Sequence, residues 1–154
     1  MKKNLPLRHL WSSHAPDATL GGYLLKDADR GIVKIVEDKQ PGAKDVETRY
    51  ETIAVSGRLA LLKVQLITGR THQIRVHMSY IGRPLAGDTL YGGSDILLRR
   101  HALHCGILAF AHPLTGEPLR VECPLPEDMA ALARQEKLLT GWQLHSLPCG
   151  ADPT

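Results

Sequence analysis

Polar and apolar side chains alternate along much of the first half of the chain. Within residues 47–55, charged residues at positions 47, 49 and 51 alternate with Thr48, Tyr50 and Thr52, a period of two that predicts a β-strand. Ser56-Gly57 can then form a two-residue turn into a second strand, Arg58–Ile67. Two shorter apolar segments, Leu20–Lys26 and Ile32–Val36, flank a polar turn and predict another pair of strands.

The period changes after Thr68-Gly69-Arg70. Ile74, Met78 and Ile81 recur at the spacing of a helix, with Thr71 placed to cap its first turn and Gly82 to end it. Three polar residues share the opposite face of this predicted helix: His72, Arg75 and Ser79.

The last third of the chain predicts a strand, a hairpin and a helix. Ala102–Ala111 is apolar on both faces, which is typical of a central strand, and a turn leads from it into Leu119–Cys123. A final helix is predicted from Pro126 onward, because acidic residues occupy its first turn. These elements predict an α+β fold with a mixed, mainly antiparallel sheet and few helices. We expect an irregular lead-in (residues 1–17), one domain (residues 18–140) and a tail (residues 141–154).

Composition narrows the class of protein. With 154 residues, 43% of them hydrophobic and 23% charged, the chain fits one ordinary globular domain, and disorder is excluded as its main state. Its apolar runs are too short to span a membrane, and residues 1–6 lack the apolar core of a signal peptide, so we expect a soluble, cytoplasmic protein. The three cysteines form no Cys-x-x-Cys pair, and we expect free thiols and no metal site.

Positive charge is concentrated in the centre of the chain. The net charge is +3 overall, but residues 58–120 contain eight basic and three acidic residues, a net charge of +5. Seven of the eight basic residues are arginines, whose forked guanidinium suits phosphate. The pattern is compatible with an ordinary solvated surface, but it also indicates an anionic partner such as nucleic acid.

The residues from Thr68 to His77 are the strongest candidates for a functional site. A strand ends there, a glycine permits a turn, and a helix begins with unpaired backbone N–H groups that can bind an anion. Arg70, His72, Gln73 and Arg75 add side-chain donors around that helix end. The segment can therefore hold an anion or the edge of a base.

Four ordered motifs resemble one enzyme family. Thr68–His77 (TGRTHQIRVH), Ile81–Gly92 (IGRPLAGDTLYG), Leu103-His104 and His112–Pro118 (HPLTGEP) are similar to the C-terminal half of the RluA-type ribosomal large-subunit pseudouridine synthases. The resemblance covers about residues 18–128. It implies the pseudouridine synthase catalytic fold and the conversion of uridine to pseudouridine in RNA, with no cofactor and no metal.

The resemblance also implies roles for particular residues. Arg75 matches the family arginine that pairs with the nucleophilic aspartate. Arg70, Thr71, His72 and Gln73 match the surrounding motif, and we expect them to support the site or bind RNA. Gly87, Asp88, Tyr91 and Gly92 match a segment that we expect to be mainly structural.

The catalytic motif of the family is absent from this chain. The sequence contains no Arg-Leu-Asp run, and the matching position would lie upstream of residue 18. We therefore expect a truncated enzyme, inactive alone, in which Arg75 has no aspartate partner. The alternatives are a non-catalytic RNA-binding module and a scaffold. The resemblance implies ribosomal RNA as a partner. The other expected partners are the missing N-terminal half and a second copy paired through an exposed sheet edge.

Overall fold

A computed structural model describes residues 17–56 and 58–138 of the chain. The predicted lead-in, apart from Asp17, and the predicted tail lie outside the described residues. Among the described residues, no helix is both long enough and apolar enough to cross a membrane.

Four antiparallel strands form the main sheet: β1 (Ala18–Asp27), β2 (Ile32–Val36), β3 (Lys44–Val55) and β4 (Ala60–Leu66). Their order across the sheet is β2-β1-β3-β4, which confirms both predicted strand pairs. The β3–β4 connection is longer than the predicted two-residue turn. β3 ends at Val55 and β4 begins at Ala60, and a bulge between Thr52 and Ala54 shifts the register.

Helix α1 (Gln73–Tyr80) packs against β2 and β3. Its Val76 joins a buried cluster formed with side chains of the first three strands: Leu24, Val33, Ile35 and Val46. The predicted apolar stripe of this helix is wrong in part, because Met78 is buried whereas Ile74 and Ile81 are only half-buried. The buried positions are Gln73, Val76, His77 and Met78, so two polar residues lie beneath the helix.

The predicted N-terminal cap of α1 is also wrong. Thr71 is exposed, and the capping position is occupied by His72, which makes no side-chain capping bond. His72 has a left-handed backbone with φ of 52°, unusual for a residue with a side chain. This conformation turns the chain sharply into the helix after Arg70 and Thr71.

The remaining elements complete an α+β fold, as predicted. After α1 come one 3₁₀ turn (Thr89–Tyr91), a two-stranded antiparallel sheet of β5 (Ile107–Ala111) and β6 (Pro118–Glu122), and helix α2 (Glu127–Gln135). A second buried cluster joins the C-terminal end of α2 to the β3–β4 hairpin: Ala133 and Leu138 pack against Ala54, Leu59 and Leu61.

The predicted central strand at residues 102–111 is confirmed in part: its second half is a strand, but that strand is neither central nor buried. Only Ile107–Ala111 forms a strand, its one partner in the described chain is β6, and all five of its residues are exposed. The apolar sequence suits burial on both faces, but no helix or second sheet of the described residues covers this strand.

Candidate active site

A buried polar network fixes the start of α1 against the sheet. Gln73, 2% exposed, accepts hydrogen bonds at Oε1 from the Thr68 hydroxyl (2.9 Å) and the Arg70 backbone N–H (2.9 Å). Its Nε2 donates to the Glu47 carbonyl (2.9 Å) and to Thr48 Oγ1 (3.0 Å). Every polar atom of the Gln73 side chain is thus used inside the protein, and the amide joins β3 to the helix.

His77 extends this network beneath the helix. It is 1% exposed, and its Nδ1 lies 2.8 Å from Thr48 Oγ1, which itself is fully buried. Its Nε2 is buried and has no hydrogen-bond partner among the described residues. Burial lowers the pKa of His77 to about 4, so the ring is neutral near pH 7.

Arg75, in the first turn of the helix, forms a two-pronged ion pair with Asp88. Its Nε and Nη2 each donate to a different carboxylate oxygen of Asp88 at 2.8 Å. The Asp88 side chain is 1% exposed and that of Arg75 is 15% exposed. The hydrogen bonds from Arg75 lower the pKa of Asp88, and those to Asp88 raise the pKa of Arg75, so both groups stay charged.

Tyr91 lines the other side of the Arg75 guanidinium. The Arg75 Cζ lies 5.1 Å from the centre of the Tyr91 ring, a cation–π contact. The Tyr91 hydroxyl accepts from the Val33 backbone N–H (3.1 Å) and lies 2.8 Å from His72 Nδ1. Ser79 donates to the Tyr91 carbonyl (2.7 Å). The three polar residues that sequence spacing placed on one face therefore all bind the segment that contains Asp88 and Tyr91.

One edge of the Arg75 guanidinium has no hydrogen-bond partner among the described residues. Its hydrogen bonds to described residues use Nε and Nη2, whereas Nη1 donates to none of these residues. His72, beside it, has a pKa lowered by burial and by the Arg75 charge, which favours a neutral ring hydrogen-bonded to the Tyr91 hydroxyl. The site thus presents a fixed cation that can bind an additional anion such as a carboxylate.

A small basic cavity lies next to the start of α1. It has a volume of about 190 Å³ and is lined by residues of four segments: Leu24, Lys26, Val33, Gly42, Lys44, Gly69, Arg70 and Thr71. The Arg70 side chain is exposed and donates from Nε to the Asp45 carbonyl (3.3 Å). Three cationic side chains, Lys26, Lys44 and Arg70, therefore surround one concave surface.

Known proteins share both the sequence and the fold around this site. The family model for RNA pseudouridylate synthase matches residues 10–80. The chain is 48% identical over 96 residues to the uncharacterized RNA pseudouridine synthase YjbO of Bacillus subtilis, covering 62% of this chain and 34% of YjbO. It is 37% identical over 145 residues to ribosomal large subunit pseudouridine synthase D of Vibrio vulnificus, covering 84% of this chain and 44% of that protein.

Two solved human structures show the same fold. RNA Pseudouridylate Synthase Domain Containing 4 has a TM-score of 0.61 over 80% of this chain and 57% of its own. Domain Containing 1 has a TM-score of 0.62 over 95% of this chain and 64% of its own; each is 23% identical to the chain.

The family-model match and the Vibrio relatives support assignment of the chain to the RluA-type family of RNA pseudouridine synthases. It spans less than half of the length of the curated relatives it matches.

The site residues predicted from the pseudouridine synthase motif lie in different places in the structure. Arg75 and His72 meet at Tyr91, whereas Arg70 and Thr71 are exposed beside the basic cavity. Gln73 is buried, and its position favours a structural role over contact with RNA.

Asp88 is the partner of Arg75 that sequence reasoning missed. We expected Arg75 to have no aspartate partner in this chain, and that expectation is wrong. The sequence feature that could have indicated Asp88 was the Gly87-Asp88 pair, in a segment that we expected to be mainly structural. A Cβ added at Gly87 would lie 1.9 Å from the Arg100 carbonyl oxygen, so only glycine allows the close approach that positions Asp88.

Proposed function

We propose that the chain forms part of an enzyme that isomerises uridine to pseudouridine in ribosomal RNA, and that it acts in the cytoplasm. The observation that carries the proposal is the fixed Arg75 guanidinium, with one edge that no described residue uses, in a sequence motif of pseudouridine synthases. The reaction breaks the N-glycosidic bond, turns the base and forms a carbon–carbon bond at C5 of the base, releasing the C5 proton. In this family an ionised carboxylate attacks the nucleoside, and a nearby cation favours that ionised state.

Asp88 is poorly placed to be the attacking carboxylate. Both of its oxygens accept hydrogen bonds from Arg75, and its side chain is 1% exposed, so it lacks access to a nucleoside. We infer that Asp88 orients Arg75 and that Nη1 of Arg75 pairs with a nucleophilic aspartate supplied by polypeptide outside the matched region. The chain alone is then inactive.

We propose that the basic cavity beside α1 binds the RNA backbone. Lys26, Lys44 and Arg70 surround it, and the first turn of α1 adds a positive dipole end. Phosphate contacts of this kind position a nucleic acid without reading its sequence. This surface also supports the second candidate function, a non-catalytic RNA-binding module, because it needs no carboxylate.

The test is tritium release from ribosomal RNA labelled at C5 of uridine. We expect no release by the chain alone, and release when it is combined with the part of Bacillus subtilis YjbO that lies upstream of its match to this chain. Release by the chain alone would show that the nucleophile lies within it. A folded mixed complex that binds the RNA without releasing tritium would contradict the catalytic proposal and favour the RNA-binding module.

Arg75→Lys in the same mixture tests the role of the guanidinium. Lysine keeps the charge but loses the fork that binds Asp88 and a second carboxylate together. We expect the variant to form the complex and bind RNA but to release tritium at least about tenfold more slowly, a loss of about 1.4 kcal/mol or more in transition-state stabilisation.

A further inference from the structure

The two faces of the β5–β6 sheet differ sharply in chemistry. Directly opposite residues on antiparallel strands share a face, so the register assigns each side chain to one side. On one side lie Ala109 and Arg120, with Ile107 opposite Glu122, and Arg120 pairs with Glu122 at 2.7 Å. The other side, called here the ribbon face, consists of two apolar cross-strand pairs: Leu108 with Val121 and Phe110 with Leu119.

The ribbon face is exposed in the described chain. Leu108 and Val121 are 53% and 54% exposed, and Phe110 and Leu119 are 44% and 37% exposed. A two-stranded sheet is at best marginally stable in water without a hydrophobic face packed on something else. An apolar cross-strand patch of this kind therefore indicates an interaction site.

The sequence of β5 supports burial of this face. Residues 102–111 have the apolar pattern of a central strand, with small or apolar residues toward both sides from Gly106 to Ala111. In the described chain the strand part of this segment, β5, pairs only with β6. This pattern is typical of a strand whose apolar face is covered by other polypeptide, here polypeptide outside the described residues.

The related proteins indicate which polypeptide could cover the ribbon face. The chain covers 57% and 64% of two solved chains with the same fold, and 34% of YjbO. Those proteins therefore contain further polypeptide that this chain does not match. We propose that the ribbon face is the docking surface for the remaining part of a pseudouridine synthase catalytic domain, on the same polypeptide or on a second one. The proposal rests on the proposed function for the identity of that partner.

A second copy of the chain fits the ribbon face less well. Stable interfaces involve about 20–30 residues on each side, whereas this face offers four side chains. A symmetric dimer formed through the ribbon face alone would therefore bury too little surface. A domain half can cover the ribbon and contact neighbouring surfaces at the same time.

The test uses the full chain co-expressed with a tagged probe, the part of YjbO upstream of its match to this chain. Recovery of the chain on the tagged probe is measured, with the matched part of YjbO itself as the reference for full recovery. Phe110→Asp places a charge on the ribbon face, and Ala109→Asp places the same charge on the opposite face, across from Arg120. Both positions are exposed, so neither substitution disturbs the interior of the chain.

We expect Phe110→Asp to reduce recovery at least about tenfold, because truncating or charging a central aromatic anchor removes much of the binding energy. Recovery of Ala109→Asp should stay within about twofold of the unmodified chain. Three outcomes overturn the proposal: no recovery of the unmodified chain, equal recovery of both variants, or a dimer of the chain that Phe110→Asp dissociates while the probe stays unbound. Because recovery is measured without RNA, a complex that assembles but releases no tritium would contradict the proposed function and leave the docking surface supported.

Discussion

At the scale of single residues, the polar side chains beneath α1 position the helix but also lower the stability of the fold. Gln73 and Thr48 are fully hydrogen-bonded, but His77 has a buried Nε2 without a partner among the described residues. A neutral ring tolerates this position, whereas a charged imidazolium there would lose its hydration without gaining an acceptor. The fold therefore favours the neutral form of His77.

This preference predicts that the free energy of unfolding begins to fall near pH 6.5, before most carboxylates titrate. The folded pKa of His77 is about 4 and its ordinary value is 6.5, so the unfolded chain binds a proton first as the pH falls. The contribution of His77 to stability is complete above about pH 6.5 and is lost progressively down to about pH 4. Between pH 7 and pH 5 the free energy of unfolding should fall by about 2 kcal/mol from this residue.

Urea denaturation at several pH values measures this loss. His77→Leu keeps the volume but removes the titrating ring, and Thr48 still accepts from Gln73 in the variant. The difference in unfolding free energy between the two proteins should change by about 2 kcal/mol from pH 7 to pH 5. A difference that stays constant over this range would show that His77 titrates normally in the folded protein.

The sequence allowed the cation of the site to be predicted but not its carboxylate partner. Arg75, His72 and Ser79 share a helix face because of local periodicity, which can be read from spacing. Asp88 reaches Arg75 only because a loop follows a particular path, and long-range packing determines that path. Gln73 shows the same limit, since its burial depends on β3 and not on its own motif.

At the scale of elements, the segment between α1 and β5 is the part that positions Asp88 and Tyr91. It is held by backbone hydrogen bonds from Gly87 to Ser94, from Gly93 to Asp88 and from Ala102 to Ala86, each 2.8 Å. It contains little regular structure, so these contacts and the tight packing at Gly87 fix its shape. The ion pair with Arg75 therefore depends on backbone geometry several residues away.

Gly87→Ala should disrupt this segment, and Gly31→Ala is its matched control. Both glycines have positive φ (77° and 64°), but a Cβ at Gly31 meets nothing within 4 Å, whereas one at Gly87 lies 1.9 Å from a backbone oxygen. Gly31→Ala should cost about 1 kcal/mol of unfolding free energy from backbone strain alone. Gly87→Ala should cost at least about 2 kcal/mol more, because backbone must move. Equal midpoints in urea would mean that the loop has another arrangement.

Sequence patterns also gave the strands of the main sheet more accurately than those of the second sheet. The predicted β2, Ile32–Val36, has the observed bounds, because turn residues on both sides and a buried face constrain it locally. The predicted strand at residues 102–111 was read from apolar content alone, which reports the burial a segment requires and not the neighbour that provides it. The proposed partner of the ribbon face would reconcile that sequence with the exposure of β5 in the described chain.

At the scale of the whole molecule, ion pairing redistributes the central positive charge. Arg58, Arg100 and Arg120 pair with Glu136, Asp128 and Glu122, all carboxylates outside residues 58–120. Arg75 pairs with Asp88. The net charge of +5 read from the sequence therefore overstates the positive potential of that segment. The basic cavity instead combines Arg70 with Lys26 and Lys44, which come from strands before that segment.

RNA binding should therefore depend on Arg70 more than on other exposed arginines. Arg70→Ala removes a cation from the cavity, whereas Arg134→Ala removes one from α2, where it pairs with Glu127. Affinity for a single-stranded ribosomal RNA fragment is measured by fluorescence anisotropy over about 0.05 to 0.2 M salt. If Arg70 contacts one phosphate, its loss should weaken binding and reduce the slope of log affinity against log salt by about 0.7, because fewer counterions are released. Arg134→Ala should leave the slope unchanged. Equal effects of the two substitutions would mean that RNA responds to overall charge, and the basic cavity would then have no special part in binding.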